Sequence, residues 1–479
     1  METLQRTANR GSVSTGYDID NSLKLEADNS ETLYKNNVDG NRRTFTSSLW
    51  VKLSELSNNS LIYHGVVSNA TRLFTNSNEI YIDLADNTST FYRWRTNALF
   101  RDTAAWYHFV WRVDTTDSTA ANRMRFYING EEYTDWQESA TVPQNFDTLA
   151  NFAHSSTSDD VQFSYKEASL YSNLYLAEVH HVDGQTLAPT EFGEFDDDSG
   201  IWKPKEYTGT YGTNGFYLDF EDSSNLGNDA NGGTDFTLSN ITAADQATDT
   251  PTNNFCTLNI LHRFYSEVSR ITVTEGATKV AGSTSSFLWR GVPSTFAVSR
   301  GKWYFELLGD GSYMLLGTGA ANDGQSEWAT LTSIANPSTK AKMMYNLNGN
   351  IYGYDSSTDA WQYGFGFGFG TSFNVGVAVD LDNGYMYFRK DGAAWTDSGD
   401  PSSGSSGTGG IYLPWYTSDS TVFIVSVVNN NSTSLLNFGG FTAGTISSGV
   451  SDANGYGNFE YTPPSNYYSL CSKNLAEYG

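Results

Sequence analysis

Apolar and polar side chains alternate along this chain with a period of two, and apolar residues at helical spacing are almost absent. That period defines half-buried strands and argues against a helical bundle. In Arg123-Met124-Arg125-Phe126-Tyr127-Ile128, the residues Met124, Phe126 and Ile128 share one face, and Arg123, Arg125 and Tyr127 the other. Asn129-Gly130 follows, supplying the positive φ angles of a two-residue hairpin turn. The device returns where the valines of Asn374-Val375-Gly376-Val377-Ala378-Val379-Asp380 alternate inward. Asp382-Asn383-Gly384 reverses the chain, Tyr385 to Lys390 runs back, and Asp391-Gly392 turns it again.

Further strands are expected over Thr44 to Leu53, Glu79 to Leu84, Trp106 to Val113, Leu174 to His181, Gly215 to Phe220, Lys302 to Leu308 and Val422 to Val428. One helical turn fits at Pro189-Thr190-Glu191-Phe192-Gly193, where proline suits the first position and an acid suits the positive end of the dipole. Many strands with frequent turns predict sandwiches or barrels. At 479 residues the chain exceeds one core and predicts at least two. Two stretches read as joints. Ser223 to Pro251 is rich in Asn, Asp, Thr and Gly and is taken as the interdomain connection. Asp397 to Gly410 is taken as a long loop within the C-terminal domain. In Tyr363 to Gly370, aromatic residues alternate with glycine, which reads as a strand with rings on one face.

Charge and segment composition narrow the function. Lys and Arg number 28 against 54 Asp and Glu, a net charge of -26 that disfavours nucleic acid and anionic membrane. The start, Met1 to Val13, has no apolar core, so no signal peptide is expected. The longest apolar run, Val422 to Val428, is strand-length, so no membrane insertion is expected. The two cysteines, Cys256 and Cys471, read as ordinary thiols, with a single bridge as the alternative.

Two sets of residues now carry a family resemblance. Phe45 to Lys52, Trp106 to Trp111, Phe126 to Gly130 and Leu176 to Gly184, then Phe192-Gly193 and Trp202-Lys203-Pro204, resemble a laminin-G/concanavalin-like jelly roll of phage structural proteins. Gly301 to Glu306 and the hairpin from Val375 into Tyr387-Phe388-Arg389-Lys390-Asp391-Gly392 resemble a SPRY domain, another concanavalin-like sandwich. The ending, Asn437-Phe438-Gly439, Phe459 to Ser465 and Leu470 to Leu475, resembles the tail of phage SPRY-containing proteins.

The expected fold is therefore all-β, two tandem concanavalin-like jelly-roll β-sandwiches, laminin-G-like and then SPRY-like. The expected divisions are an N-terminal arm over 1–16, a jelly roll over 17–222, a connection over 223–256 and a SPRY-like sandwich with its tail over 257–479. The resemblance implies a non-catalytic component of a tailed-phage virion: a tail fibre, receptor-binding protein or capsid-surface fibre. It would lie at the virion surface after assembly in the host cytoplasm. Its partners would be capsid, tail or adaptor proteins and a host cell-surface glycan, with a homo-oligomer, a trimer by analogy with fibres. Two rivals stand beside this reading: a structural virion component without a ligand, and a glycan-degrading enzyme on the same fold.

The chemistry of sites points the same way. Glycosidases need two carboxylates flanking the scissile bond, and no Glu-x-Asp-x-x-Glu strand pattern occurs here. Glu191 to Asp198 reads as an acidic loop, and Asp219 and Glu221 share a strand face without a third carboxylate. No nucleophile triad is nominated, and His180 and His181, adjacent on a strand, point to opposite faces. Sugar binding asks for exposed rings beside hydrogen-bonding groups. Trp328, Trp361 and Tyr363 are the candidate glycan-binding residues, whereas Trp50, Trp111 and Trp303 belong to the cores. No cofactor is required; calcium is the one cation the sequence suggests, at Asp229, Asn231 and Asp235 on a flexible oxygen-rich loop.

Overall fold

A computed structural model describes residues 16–66, 69–154, 160–164, 171–197, 199–261, 271–282, 290–310, 314–320, 341–345, 350–353, 363–364, 372–413, 421–428 and 432–479. The chain divides into two compact units that part between Asn253 and Asn254. Each unit is built around two large sheets with a buried apolar core, antiparallel throughout except where Tyr468–Ser469 pairs parallel to Lys302–Asp310.

In the N-terminal unit, the first sheet runs in spatial order through Glu131–Glu132, Met124–Ile128, Trp106–Asp114, Thr44–Leu53, Leu174–Asp183, Ser22–Leu25 and Gln246–Ala247. Phe216–Leu218 also pairs with Leu174–Asp183. The second sheet runs through Trp136–Glu138, Phe91–Thr96, Glu79–Ala85, Asn69–Asn76, Ser60–Val66, Val161–Phe163, Thr32–Lys35 and Thr237–Ser239. Alternation decides what faces what. Leu49, Val51, Phe109, Trp111, Val113, Met124 and Phe126 enter the core from the first sheet, and Ile62, Leu73, Ile80, Ile82, Leu84 and Trp94 from the second.

Of the segment read as a connection, 223–256, residues 223–253 belong to the N-terminal unit and 254–256 to the C-terminal one. Thr237–Ser239 pairs with Thr32–Lys35, and Gln246–Ala247 with Ser22–Leu25, so the segment adds a strand to each sheet of the N-terminal unit. Its few apolar residues, Leu226, Phe236 and Ile241, enter that core. Sparse apolar content disguised edge strands, which need few inward residues.

The outward face of the first sheet is covered too. Val110, Tyr127 and Val182 form a second apolar layer with Phe192, Tyr211, Leu187 and Tyr207 from the following irregular chain. The turn Pro189–Glu191 is present as a short 3-10 helix in that cover. Trp50 belongs to this outer layer rather than to the main core, contrary to the sequence reading. Its ring stacks on His108 at 4.6 Å, and Trp202 donates from Nε1 to His108 Nδ1 at 2.9 Å. His180 and His181 do diverge: His181 lies against Phe45, His64 and Phe216, and His180 against Tyr211 and Tyr217.

The C-terminal unit repeats this plan. One sheet runs through Ile271–Thr274, Lys279–Gly282, Thr433–Asn437, Lys302–Asp310, Ser372–Asp380, Tyr385–Lys390 and Ile411–Tyr412. The other runs through Arg290–Val298, Val422–Val428, Met314–Ala320, Ala341–Tyr345, Asn350–Gly353 and Tyr363–Gly364. Val375, Val377 and Val379 face the core with Trp303 and Phe305, as alternation predicts. Tyr304, Ala378 and Tyr387 face outward and are covered by Phe459 and Tyr467 of the tail. Asp391 and Gly392 both take positive φ, 49° and 69°, the turn their sequence demands. The 397–410 segment lies inside this unit as a loop with two short 3-10 turns.

Glu306 fastens the tail. Its buried carboxylate accepts the backbone N–H of Glu460 and of Tyr461, each at 2.9 Å, and the Tyr304 hydroxyl at 2.9 Å. Cys256 and Cys471 are both buried and lie on neighbouring segments, which pair at the β-bridge between Phe255 and Cys471. No described helix is long and apolar enough to cross a membrane.

Two predictions follow from this packing. His64 is fully buried, and neither ring nitrogen has a hydrogen-bond partner among the described residues. Burial, then the Lys35 ammonium, pushes it down to about 3. Its folded pKa thus lies below the unfolded value of about 6.5, so its contribution to stability is complete above that pH and is lost as pH falls toward 3. His64→Leu is expected to reduce the slope of unfolding free energy against pH in that window by up to about 1.4 kcal/mol per pH unit, one proton's worth. Identical slopes for the two proteins in denaturant titrations would count against it. Glu306→Ala is expected to cost about 3 kcal/mol, because two backbone donors and a tyrosine lose a charged acceptor. Limited proteolysis should then cut within residues 459–470.

Candidate functional site

Four loops meet at one end of the N-terminal unit and enclose an open groove of about 560 Å³. Its lining comes from Gly40 to Arg43 before the strand Thr44–Leu53, from Asp147, from Asp183-Gly184 at the end of Leu174–Asp183, and from Gly212-Thr213. Strand termini place these groups, and a single carboxylate draws the loops together. Asp183 Oδ1 accepts from the Asn41 backbone at 2.9 Å, and Oδ2 accepts from the Asn214 backbone at 3.1 Å. The crowding explains two glycines. A Cβ on Gly40 would lie 2.4 Å from Asp183 Oδ2, and one on Gly212, at φ +78°, would lie 2.2 Å from the Asp183 carbonyl oxygen.

Arg42 is structural: it donates from Nε to the Thr148 carbonyl at 2.7 Å and stacks over Phe152 at 4.3 Å. Arg43 and Asp147 form an exposed fork, Nε to Oδ1 at 2.6 Å and Nη2 to Oδ2 at 3.3 Å. The two groove carboxyls titrate in opposite directions. The Arg43 hydrogen bond holds Asp147 below the ordinary carboxylate range, whereas burial pushes Asp183 up. The result is a solvent-open recess whose exposed guanidinium, carboxylate and hydroxyl can exchange hydrogen bonds with a ligand rich in hydroxyls.

None of the described residues nominated from sequence lines this groove. Trp328 and Trp361 lie outside the described residues. Tyr363 opens the short strand Tyr363–Gly364, whose backbone pairs with Asn350 and Ile351. Asp229, Asn231 and Asp235 do come together, but as a self-closing turn. Asp229 Oδ1 accepts from the backbones of Tyr217 at 3.0 Å and Asn231 at 3.1 Å, and Asp235 Oδ1 accepts from the Asp229 backbone at 3.0 Å. The Lys35 ammonium lies 4.0 Å from Asp229 Oδ2, so a cation already neighbours that oxygen. Among the described residues, no group of three His, Cys, Asp or Glu side chains is arranged to hold a metal.

Asp219 Oδ1 caps the backbone of Glu221 at 3.1 Å, a turn contact. Burial, with the Glu178 charge also contributing, pushes Asp219 up. Glu178 itself went unremarked in sequence. It sits at a bulge with φ 47° and accepts from the hydroxyls of Tyr17 at 2.9 Å and Tyr217 at 2.7 Å. Only strand pairing brings those three residues together. The groove was partly legible, since Gly40-Asn41 and Asp183-Gly184 are turn signals flanking strands; their convergence was not.

Comparison with known proteins bears on the fold. Residues 25–177 match a laminin-G type family described as the Concanavalin A-like lectin/glucanases superfamily. No curated protein matches the chain. Among solved structures, the chain is similar to the SPRY domain of human HERC1, at 9% identity over 35% of this chain and 91% of that one, with a TM-score of 0.26. It is also similar to the TRIM65 PSpry domain, at 13% identity over 38% of this chain and 89% of that one, TM-score 0.27. A third similarity is to the heptameric SAP-like pentraxin of Limulus polyphemus, at 15% identity over 36% and 80%, TM-score 0.26. With its four main sheets, the chain is an all-β protein of two sandwich units, and the first carries the concanavalin-like match over residues 25–177.

Proposed function

We propose that this chain is a non-catalytic structural and adhesion protein on the surface of a tailed-phage virion, and that its loops engage host glycans. One observation carries the binding half of the reading: a solvent-open groove at the loop end of a lectin-type sandwich, lined by Arg43, Asp147 and Thr213 and held in shape by a buried carboxylate. The virion half rests on the order of phage-like motifs along residues 17–479. Weak contacts of this kind gain strength from copy number, since linked sites raise avidity without any one being tight. The partners proposed are neighbouring capsid, tail or adaptor proteins and further copies of this chain.

Glycan hydrolysis is the second reading, favoured by one specific feature. Asp147, held down, and Asp183, pushed up, share one groove, the division expected of a base and an acid. Against it, both Asp183 oxygens are occupied by backbone donors, so its carboxylate serves the loops.

A glycan array probed with multimerised full-length protein tests the adhesion reading. Binding is expected, and Arg43→Ala combined with Asp147→Ala should weaken it about tenfold, as lost polar contacts to a ligand do. Wild-type protein that binds no glycan would refute glycan adhesion. Release of reducing ends from a bound polysaccharide, abolished by Asp183→Asn, would establish hydrolysis instead. Antibody labelling in images of the particle tests the location; label confined to the capsid interior would refute surface exposure.

A further inference from the structure

We infer that Lys24 and Asp245 are a modification site: they condense into an amide cross-link inside the N-terminal unit, with Glu31 moving the protons. This goes beyond the adhesion reading and does not rest on it. Register brings the two residues together. Ser22–Leu25 pairs with Gln246–Ala247 so that Leu23 lies opposite Gln246, and the next step along sets Lys24 opposite Asp245. Lys24 Nζ lies 3.0 Å from Asp245 Oδ1, and 3.2 Å and 3.4 Å from the two oxygens of Glu31. The side chains of Lys24, Glu31 and Asp245 are 1%, 2% and 11% exposed. One ammonium thus faces two carboxyls, out of water.

Each acid is held for a different part. Asp245 closes a capping box at the turn Ala243–Asp245: its Oδ2 accepts from the Thr242 backbone at 2.8 Å and from the Thr242 hydroxyl at 3.2 Å. That leaves Oδ1 to the lysine, and it puts two donors on the oxygen that gains charge when the carboxyl carbon is attacked. Glu31 takes its partners from its own loop. Its Oε2 accepts from the Glu26 backbone at 2.7 Å, and its Oε1 accepts from the Asn29 amide at 2.9 Å. Burial, opposed by Lys24 and reinforced by the Asp245 charge, pushes the Glu31 carboxyl up, so it holds a proton where surface acids have lost theirs.

The condensation balances within this triad. The ammonium gives one proton to Asp245 Oδ1, and the freed Nζ lone pair attacks Cγ, pushing an electron pair of the C=O bond onto Oδ2. Glu31 then accepts a second nitrogen proton on one oxygen and delivers its own proton from the other to Oδ1. The Cγ–Oδ1 bond breaks, water leaves, the Oδ2 carbonyl re-forms and Glu31 is restored. Burial favours the product, because two charges that are costly out of water become a neutral amide, and fixed geometry replaces a bimolecular encounter. Lys24 lies in the first strand of the unit and Asp245 directly precedes its last. The bond therefore closes nearly the whole sandwich into a covalent ring, which restricts the unfolded chain as a long-range disulfide does.

Intact-mass measurement of the denatured full-length protein, followed by peptide mapping, tests this. The chain is expected to be lighter than its sequence by one water, with a branched peptide joining Lys24 to Asp245 and no tryptic cut after Lys24. Lys24→Arg keeps a cation against both acids but has no amine to close the bond, and full sequence mass is expected of it. Glu31→Gln should lower the linked fraction of freshly folded protein by about tenfold or more, since the proton shuttle is gone. A wild-type chain at full sequence mass would overturn the cross-link. A water loss mapped elsewhere, such as to the buried pair Lys52 and Asp249 at 2.6 Å, would overturn the assignment to Lys24 and Asp245. Complete linkage in Glu31→Gln would overturn the role given to Glu31.

Discussion

Buried carboxylates that accept backbone N–H groups from irregular chain hold this structure together. Asp183 ties the loops around Asn41 and Asn214, Glu306 ties Glu460 and Tyr461, and Asp452 ties Asn454 at 2.9 Å and Tyr456 at 3.0 Å. Asp160 does the same for Asn37 at 2.8 Å. A sandwich of this size buries long stretches of loop over its outward faces, and each buried N–H needs an acceptor. A carboxylate offers two oxygens and a full charge, and each such bond is worth about 1.5–3 kcal/mol. Part of the excess of acidic residues is thereby explained by internal fastening rather than by a cationic partner.

This division of labour separates strands from loops. The strands obey the hydrophobic rule of alternation: Leu49 and Val51 inward, Val375, Val377 and Val379 inward, with tight turns at Asn129-Gly130 and Asp391-Gly392. Those features were legible in the sequence because period and turn chemistry are local. The strands Thr44–Leu53 and Val422–Val428 have the bounds that pattern predicts. What was not legible is non-local. The 223–256 segment reads as a linker because edge strands carry few inward residues, yet pairing with Thr32–Lys35 and Ser22–Leu25 makes its residues 223–253 part of the first sandwich. Trp50 reads as core because it is a tryptophan in a strand, but its parity puts it on the outward face under Trp202 and His108.

The groove shows the same limit. Each of its parts is an unremarkable turn in one dimension, and Asp183 becomes the organising residue only when strand ends meet.

The fastening role of the buried acids is open to a direct measurement, amide hydrogen exchange resolved to single residues on the full-length chain. The backbone N–H groups of Asn41, Asn214, Glu460 and Tyr461 should exchange as slowly as those of the adjoining strands, although all four lie outside regular structure. Exchange at the rate of unprotected loops would mean that these carboxylates hold nothing in place, and the account of groove and tail built on them would fall.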